Sequence, residues 1–240
     1  MDALIFAAGL GTRLKPLTDT MPKALVPVGG IPLLERVATK LAAAGCGRIV
    51  INVHHFAQMI RDFVAAHDHF GVEVVFSDET DLLRETGGGI RHAGPLLADS
   101  GGPILIHNVD ILSNLDIRAF MGLHRTGDLA TLLVSERSTS RYFLFDDEGL
   151  LVGWTNLATG EVRSPYPDID PDRCTRLAFS GIHCISPEIF PLMRDWPEKF
   201  PIVDFYLAVC RDHAIRAAVI PGLEIHDVGK MSALNFITKE

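Results

Sequence analysis

Apolar residues cluster in short runs along the first half of the chain, separated by polar and glycine-rich segments. The runs have the length of β-strands and occupy residues 3–8, 48–53, 72–76, 103–107 and 129–135. Between the early runs, residues 32–44 and 56–66 carry apolar side chains at helical spacing. Strands that are apolar throughout and alternate with helices predict an α/β fold, in which a mostly parallel sheet is covered by helices on both faces.

The pattern changes after about residue 135. The predicted strands there are 142–145, 150–154, 176–184, 215–220 and 224–228, and the predicted helices are 186–194 and 203–212. Residues 156–173 include three prolines and predict a loop. We therefore expect a single domain over residues 1–240, with a first half of about 1–135 and a small lobe of about 136–240 at the far edge of the sheet.

The composition limits the classes of function. Of the 240 residues 48% are hydrophobic and 22% charged, which suits one α/β domain that needs no metal or disulfide for stability. The 30 acidic residues outnumber the 22 basic ones and give a formal net charge of −8, so we expect no nucleic acid as a partner. The four cysteines include no C-x-x-C pair, and the apolar run at the N-terminus is too short to cross a bilayer. These features predict a cytoplasmic protein with reduced thiols and no membrane contact.

A glycine-rich turn, Gly9-Leu-Gly-Thr-Arg-Leu-Lys-Pro16, follows the first predicted strand. Glycines at this place let the backbone approach a ligand closely and direct N–H groups at it. Leu14 stands where a dinucleotide-binding fingerprint has its third glycine, and no Walker sequence follows, so neither motif is present. Arg13, Lys15 and Lys23 place three cations near the turn, and fixed cations beside N–H donors suit a triphosphate.

Three consecutive motifs in this region resemble the signature of the sugar-1-phosphate nucleotidyltransferases. They are FAAGLGTR at residues 6–13, PLT at 16–18 and PKALVPV at 22–28. The resemblance implies a Rossmann-like, mostly parallel sheet flanked by helices, of the nucleotide-diphospho-sugar transferase type. It implies that the first half binds the nucleotide and that the lobe binds the sugar. The expected substrates are a nucleoside triphosphate and a sugar 1-phosphate, the expected products are a nucleoside diphosphate sugar and pyrophosphate, and homo-oligomer formation is left open.

The resemblance also implies roles for residues of the turn. Ala8, Gly9, Gly11 and Thr12 would line the triphosphate. Arg13 would hold the departing pyrophosphate, and Lys23 would stabilise charge on the reacting phosphates, which makes these two the candidate catalytic residues.

Two distant aspartates are the candidate metal ligands. Asp110 follows the fourth apolar run, and aspartates at the carboxyl ends of parallel strands lie where α/β sheets bind ligands. Asp227 lies in a His-Asp-Val-Gly motif that resembles a second family motif. One or two carboxylates together with substrate phosphates are the usual arrangement around Mg²⁺, the expected cofactor. Val109 occupies a position where relatives usually have glycine or another small residue.

The segment Glu85-Thr-Gly-Gly-Gly89 is expected to contact the base and ribose through Glu85, Thr86 and Gly87. It is most similar to the N-acetylmuramate-1-phosphate uridylyltransferase branch, whereas mannose-1-phosphate guanylyltransferases more often have Gly-Thr-Ala-Gly, so guanylyl transfer to mannose or heptose 1-phosphate is the second interpretation. Glu79 could accept a hydrogen bond from uracil or guanine, but the corresponding ring nitrogen of cytosine carries no proton.

The sugar is expected to lie near Ser180 and Gly181, in a segment that resembles the family's sugar-binding motif, with Asn108 and Asp204 as further candidates. No general base is required, because a phosphate monoester is already anionic, with a second pKa of about 6. Two alternatives remain open. One is a cytidylyltransferase for an alcohol phosphate such as phosphocholine, and the other is a catalytically dead sensor of nucleotide sugars.

Overall fold

A computed structural model describes residues 1–229 of the chain. Within this range the strands are β1 (Asp2–Phe6), β2 (Pro27–Val28), β3 (Ile31–Pro32), β4 (Arg48–Val53), β5 (Glu73–Asp78), β6 (Ile104–Asn108), β7 (Ile111–Ser113), β8 (Asp128–Ser135), β9 (Arg141–Phe145), β10 (Leu151–Asn156), β11 (Glu161–Arg163), β12 (Thr175–Ile185), β13 (Ala214–Val219) and β14 (Ile225–Asp227). The α-helices are α1 (Leu33–Ala43), α2 (Ala57–Ala66), α3 (Glu85–Leu97), α4 (Ile117–Met121), α5 (Ile189–Leu192) and α6 (Ile202–Val209). No helix of the described range is long and apolar enough to span a membrane.

The centre of the main sheet is parallel. Strand β1 lies between β4 and β6, and β5 lies outside β4. Phe6, at the end of β1, is in register with Asn52 of β4 and Asn108 of β6. The carboxyl ends of these strands therefore meet at one edge, and the segments that follow them converge there.

The far side of the sheet is mixed. Strand β12 runs antiparallel to β6, β8 and β9, and β13 lies parallel to β8. Strand β8, which precedes the boundary expected near residue 135, is thus separated from β6 by a strand of the second half. The two halves share one sheet. Their division into a nucleotide-binding half and a sugar-binding lobe stays a prediction, and residues 230–240 of the expected domain lie outside the described range.

Both faces of the central strands are buried, which explains their continuous apolar runs. Ala3 and Ile5 of β1 belong to a cluster with residues of α1 and α2, whereas Leu4 belongs to a cluster with residues of α3 and α6. Successive side chains of a strand point to opposite faces, so a strand covered on both faces cannot alternate apolar and polar residues.

Three details differ from the prediction. The segment 156–173 was predicted to be a loop, but it contains β11, which forms a hairpin with β10 through a turn with φ +73° at Gly160. The helix predicted over 186–194 is confined to Ile189–Leu192, in a segment that contains Pro187 and Pro191. Strand β14 pairs with β7, a strand too short to be predicted by a periodic pattern.

Candidate active site

The turn after β1 is shaped by contacts with the segments that follow it. Gly11 has φ +64°, and a Cβ there would lie 2.7 Å from Thr18 Cγ2 and 3.0 Å from Lys23 Cβ. Thr18 Oγ1 donates a hydrogen bond of 2.8 Å to the Gly11 carbonyl. Glycine is therefore required at position 11 by backbone conformation and by close packing. A Cβ at Gly9 would meet nothing within 4 Å, so Gly9 is the open part of the turn.

Asn52 holds the start of this turn in place. Its Oδ1 accepts hydrogen bonds from the backbone N–H groups of Ala7 and Ala8, at 2.6 and 3.0 Å. Its Nδ2 donates to Oε1 of Glu79 at 2.9 Å, and the other carboxylate oxygen of Glu79 accepts from the backbone N–H of Arg84 at 3.1 Å. Glu79 is fully buried. Asn52 belongs to none of the sequence motifs, and its one signal in the sequence is a lone amide near the end of an apolar strand.

Four charged side chains converge around Gly229. A Cβ at this glycine would lie 2.6 Å from Asp110 Oδ2, 2.9 Å from Asp227 Oδ1 and 3.0 Å from Arg13 Nη2. The Lys23 ammonium donates a hydrogen bond to Asp110 Oδ2. The candidate catalytic and metal-binding residues, predicted from three distant segments, therefore lie in one place.

The pairing of β7 with β14 brings Asp227 to this place. Asp227 is in register with Ile111, which directly follows Asp110, and the Val228 N–H donates to the Asp110 carbonyl at 2.9 Å. Asp110 and Asp227 bring two carboxylates together, and residues 1–229 contain no group of three or more His, Cys, Asp or Glu side chains that could hold a metal. Such a pair of carboxylates fits Mg²⁺, which commonly takes one or two carboxylates and completes its octahedron with phosphates and water.

Two adjoining cavities flank the charged centre. One, which we call the loop cavity, has a volume of about 310 Å³. The sequence-predicted residues that line it are Ala8, Gly9, Arg13, Lys23, Glu79, Glu85, Thr86, Asn108 and Asp110. The other, which we call the lobe cavity, has a volume of about 260 Å³, and its sequence-predicted lining residues are Thr86, Asn108, Ser180, Gly181 and Asp227. Phe6, Thr86 and Asn108 line both cavities, so ligands in the two would lie side by side.

The floor of the lobe cavity is an irregular stretch of β12. Gly181 has φ +75°, where the register of β12 with β8 shifts, and a Cβ there would lie 2.5 Å from Asn108 Nδ2. The neighbouring Ser180 hydroxyl is buried and has no hydrogen-bond partner among the described residues. Buried hydroxyls without a partner are costly, so Ser180 is an unsatisfied polar group directly beside the cavity.

A buried histidine adds a second neutral polar group to this floor. Burial lowers the pKa of His183 to about 3, so its ring is neutral near pH 7. Its Nδ1 lies 2.7 Å from the hydroxyl of Tyr206, whose pKa burial raises well above the ordinary value. Both groups are neutral, so either the tyrosine hydroxyl donates to an unprotonated Nδ1 or a protonated Nδ1 donates to the tyrosine oxygen.

Some predicted residues lie outside the two cavities. Gly11, Thr12 and Gly87 are not among their lining residues. Asp204 is also absent from the lining, and its carboxylate forms an ion pair of 2.8 Å with Arg163. The roles of these four residues stay predictions. Arg137, which the sequence analysis did not single out, lines the lobe cavity.

The glycines of the Glu-Thr-Gly-Gly-Gly segment have a packing role. A Cβ at Gly87 would lie 2.3 Å from the ring of Phe200, and one at Gly88 would lie 2.2 Å from the Glu198 carbonyl oxygen. The N–H groups of both glycines donate to the Phe200 carbonyl. Helix α3 can therefore approach residues 198–200 closely only because these positions lack side chains. At the start of the helix, Glu85 has φ +61° and lines the loop cavity.

Comparison with known proteins gives a family match and several relatives. Residues 2–143 match the family described as nucleotidyl transferase. The chain is 32% identical to the N-acetylmuramate alpha-1-phosphate uridylyltransferase of Caulobacter vibrioides, over 93% of this chain and 90% of that protein. It is 42% identical to the protein of the same name from Neisseria meningitidis, over 50% of this chain and 51% of that protein.

A second group of relatives is longer than this chain. Identity to the mannose-1-phosphate guanylyltransferase catalytic subunit beta of Drosophila melanogaster is 32%, over 82% of this chain and 56% of that protein. The aligned region thus spans about half the length of the guanylyltransferase. Among solved structures, a UDP-glucose pyrophosphorylase complexed with UDP-glucose has the same fold, with a TM-score of 0.76, 16% identity and coverage of 99% of this chain and 97% of that chain.

Proposed function

Because this chain belongs to the nucleotidyl transferase family, we propose that it transfers a uridylyl group from UTP to N-acetylmuramate 1-phosphate and releases pyrophosphate. The observation that carries this proposal is the similarity to the Caulobacter vibrioides uridylyltransferase, which extends over 93% of this chain and 90% of that protein. Similarity of that extent includes the part of the chain that lines the lobe cavity, where the sugar would bind.

The two cavities suggest how the substrates would be placed. UTP would occupy the loop cavity, with its phosphates near Gly9, Arg13 and Lys23 and its base near Glu85 and Thr86. Glu79 would help to hold the loop cavity in shape, because its two carboxylate oxygens accept hydrogen bonds from Asn52 and from the Arg84 backbone N–H. The lobe cavity would take the sugar, with its phosphate directed at the charged centre.

The reaction would be an in-line displacement. A phosphate oxygen of the sugar 1-phosphate forms a bond to the α-phosphorus, while the bond from that phosphorus to the bridging oxygen breaks and its electron pair leaves with pyrophosphate. Lys23 would stabilise charge on the α-phosphoryl oxygens, and Arg13 would hold the leaving pyrophosphate. The attacking phosphate is anionic at neutral pH, so the chain needs no general base.

Asp110 and Asp227 would hold Mg²⁺, and family members generally use a divalent metal. When bound, the ion supplies positive charge that neutralises and aligns the crowded phosphates. The convergence of both carboxylates on Gly229 supports this assignment.

Guanylyl transfer to mannose 1-phosphate is the second candidate. It is favoured by the 32% identity to the Drosophila melanogaster guanylyltransferase, although the aligned region covers only 56% of that protein.

A matrix of substrates separates these candidates. Each of UTP, GTP, CTP and ATP would be combined with N-acetylmuramate, N-acetylglucosamine or mannose 1-phosphate, and pyrophosphate release measured with Mg²⁺. We expect the highest kcat/KM for UTP with N-acetylmuramate 1-phosphate. A highest value for GTP with mannose 1-phosphate would establish the second candidate, and absence of pyrophosphate in every combination would contradict enzymatic activity.

A further inference from the structure

Arg137 is a cation on the wall of the lobe cavity with an unusual environment. It follows β8, is exposed, and its Nη2 donates a hydrogen bond of 3.1 Å to the Phe179 carbonyl. This bond fixes the guanidinium against β12, beside Ser180. Arg137 forms no ion pair with any residue in the described range 1–229. In contrast, Arg163 and Arg216, also in the second half of the chain, pair with Asp204 and Asp128.

The rest of the cavity contains little charge. Phe6, Ile111 and Val203 are apolar lining residues, and Ser180 and His183 present neutral polar groups. Among the described residues that line this cavity, Asp227 is the one carboxylate. It belongs to the charged centre around Gly229 and forms no ion pair with Arg137. A guanidinium carries five N–H donors, and one hydrogen bond to a carbonyl leaves most of them available to a ligand.

We propose that Arg137 binds a carboxylate of the sugar, so that the lobe cavity selects acidic sugar 1-phosphates. Guanidinium groups bind carboxylates through two parallel hydrogen bonds, which gives orientation as well as affinity. The inference rests on the proposed function, because N-acetylmuramate is N-acetylglucosamine that carries a lactyl ether with a free carboxylate. It adds a specificity-determining residue that none of the sequence motifs contains.

The test compares two sugars that differ only in the lactyl ether that carries the carboxylate. With the preferred triphosphate at saturation, kcat/KM is measured for N-acetylmuramate 1-phosphate and N-acetylglucosamine 1-phosphate. Arg137→Ala should lower kcat/KM for the acidic sugar by about 10- to 100-fold, the range expected for hydrogen bonds to a charged group. The value for the neutral sugar should change by less than about twofold. Arg137→Lys should retain an intermediate preference, because lysine keeps the charge but not the paired geometry.

A matched control removes a neighbouring charge. Arg141 is exposed and does not line the cavity, so Arg141→Ala should leave both values unchanged if the effect is local. An equal loss for both sugars in Arg137→Ala would overturn the inference, because it would assign Arg137 to the shared 1-phosphate or to the structure of the lobe. An unchanged preference would overturn it as well.

The experiment also separates this inference from the proposed acceptor. If the wild-type chain prefers N-acetylmuramate 1-phosphate and Arg137→Ala keeps that preference, the inference alone fails. A uronic acid 1-phosphate is therefore assayed as a third sugar. If the wild type prefers it to N-acetylmuramate 1-phosphate and Arg137→Ala abolishes that preference, the inference is supported and the proposed acceptor is wrong. A wild type that favours no acidic sugar would overturn both.

Discussion

Gly229 determines how closely the charged groups of the site can approach one another. Its missing side chain leaves the space in which Asp110, Asp227 and Arg13 come within 3.0 Å of a single point. The backbone N–H of Gly229 also donates to Asp227 Oδ1 at 2.9 Å, which orients that carboxylate. A single methyl group at this position would therefore displace several of the proposed catalytic groups at once.

Gly229→Ala should lower kcat by about 100-fold or more, because misplacement of catalytic groups by about 1 Å has effects of this size. The variant should still fold, since the side chains that the methyl group displaces are polar and lie at the edge of the sheet. Steady-state kinetics would measure the first effect and thermal unfolding the second. Gly102→Ala is the matched control, because a Cβ at Gly102 meets nothing within 4 Å. Near-normal kcat in Gly229→Ala would show that these groups do not act together.

At the scale of elements, the carboxyl ends of β1, β4 and β5 are joined by a chain of hydrogen bonds. Asn52 at the end of β4 supports the backbone that leaves β1, and Glu79 after β5 supports Asn52. The turn that faces the loop cavity is thus positioned by neighbouring strands as well as by its own Gly11 and by Thr18. This explains why a turn rich in glycine can be held in one conformation.

Asn52→Leu should leave the Ala7 and Ala8 N–H groups buried without partners, at a cost of roughly 1–3 kcal/mol for each. We expect a lower free energy of unfolding in urea and a higher KM for the triphosphate. Glu79→Gln is the conservative comparison, because an amide can still accept one of the two hydrogen bonds that Glu79 receives, so its effects should be smaller. Equal KM values for the wild type and Asn52→Leu would rule out the support of the turn by Asn52.

Elements of the central sheet could be predicted closely from the sequence. The run 48–53 was predicted with the observed bounds of β4, because a strand buried on both faces is largely apolar. Two strands of three residues, β7 and β11, contain too few positions for a periodic pattern and were missed, whereas β14 lies within the predicted run 224–228. The family and the class of reaction, nucleotidyl transfer to a sugar 1-phosphate, were predicted from the motifs and are confirmed by the matches.

Only some of the side chains that form the site could be predicted from the sequence. Arg13, Lys23, Asp110 and Asp227 belong to motifs, and their convergence follows from strand order. Asn52 and Arg137 belong to no motif, and their importance depends on which strands lie next to each other. Gly87 was assigned to nucleotide contact, but the packing of Gly87 and Gly88 against residues 198–200 is a contact between distant segments that no local pattern predicts.

At the scale of the whole molecule, two buried histidines link stability to pH. Burial lowers the pKa of His183 to about 3 and that of His107 to about 4, from an ordinary value of 6.5. Between pH 6.5 and 4 the unfolded chain therefore binds more protons than the folded chain, so the folded state loses stability as pH falls. His107 lies on β6 and His183 lies on β12. The pairing of these two strands joins the two halves of the chain.

The free energy of unfolding should decrease on the order of 1 kcal/mol per pH unit for each of these histidines as pH falls from 6.5 towards 4. Urea unfolding at several pH values measures this slope. His107→Gln should reduce this slope, because the proton-binding difference of His107 is lost while those of His183 and the partly buried His124 remain. His55→Gln is the control, since His55 is exposed and the slope should not change. A free energy of unfolding that is constant from pH 6.5 to 4.5 would contradict the prediction.

The central claim is that the cations and carboxylates around Gly229 join UTP to N-acetylmuramate 1-phosphate. Mass spectrometry of the products, after incubation of the chain with both substrates and Mg²⁺, tests this most directly. We predict UDP-N-acetylmuramate and pyrophosphate in equal amounts. Intact substrates, or free uridine monophosphate in place of the nucleotide sugar, would contradict the account.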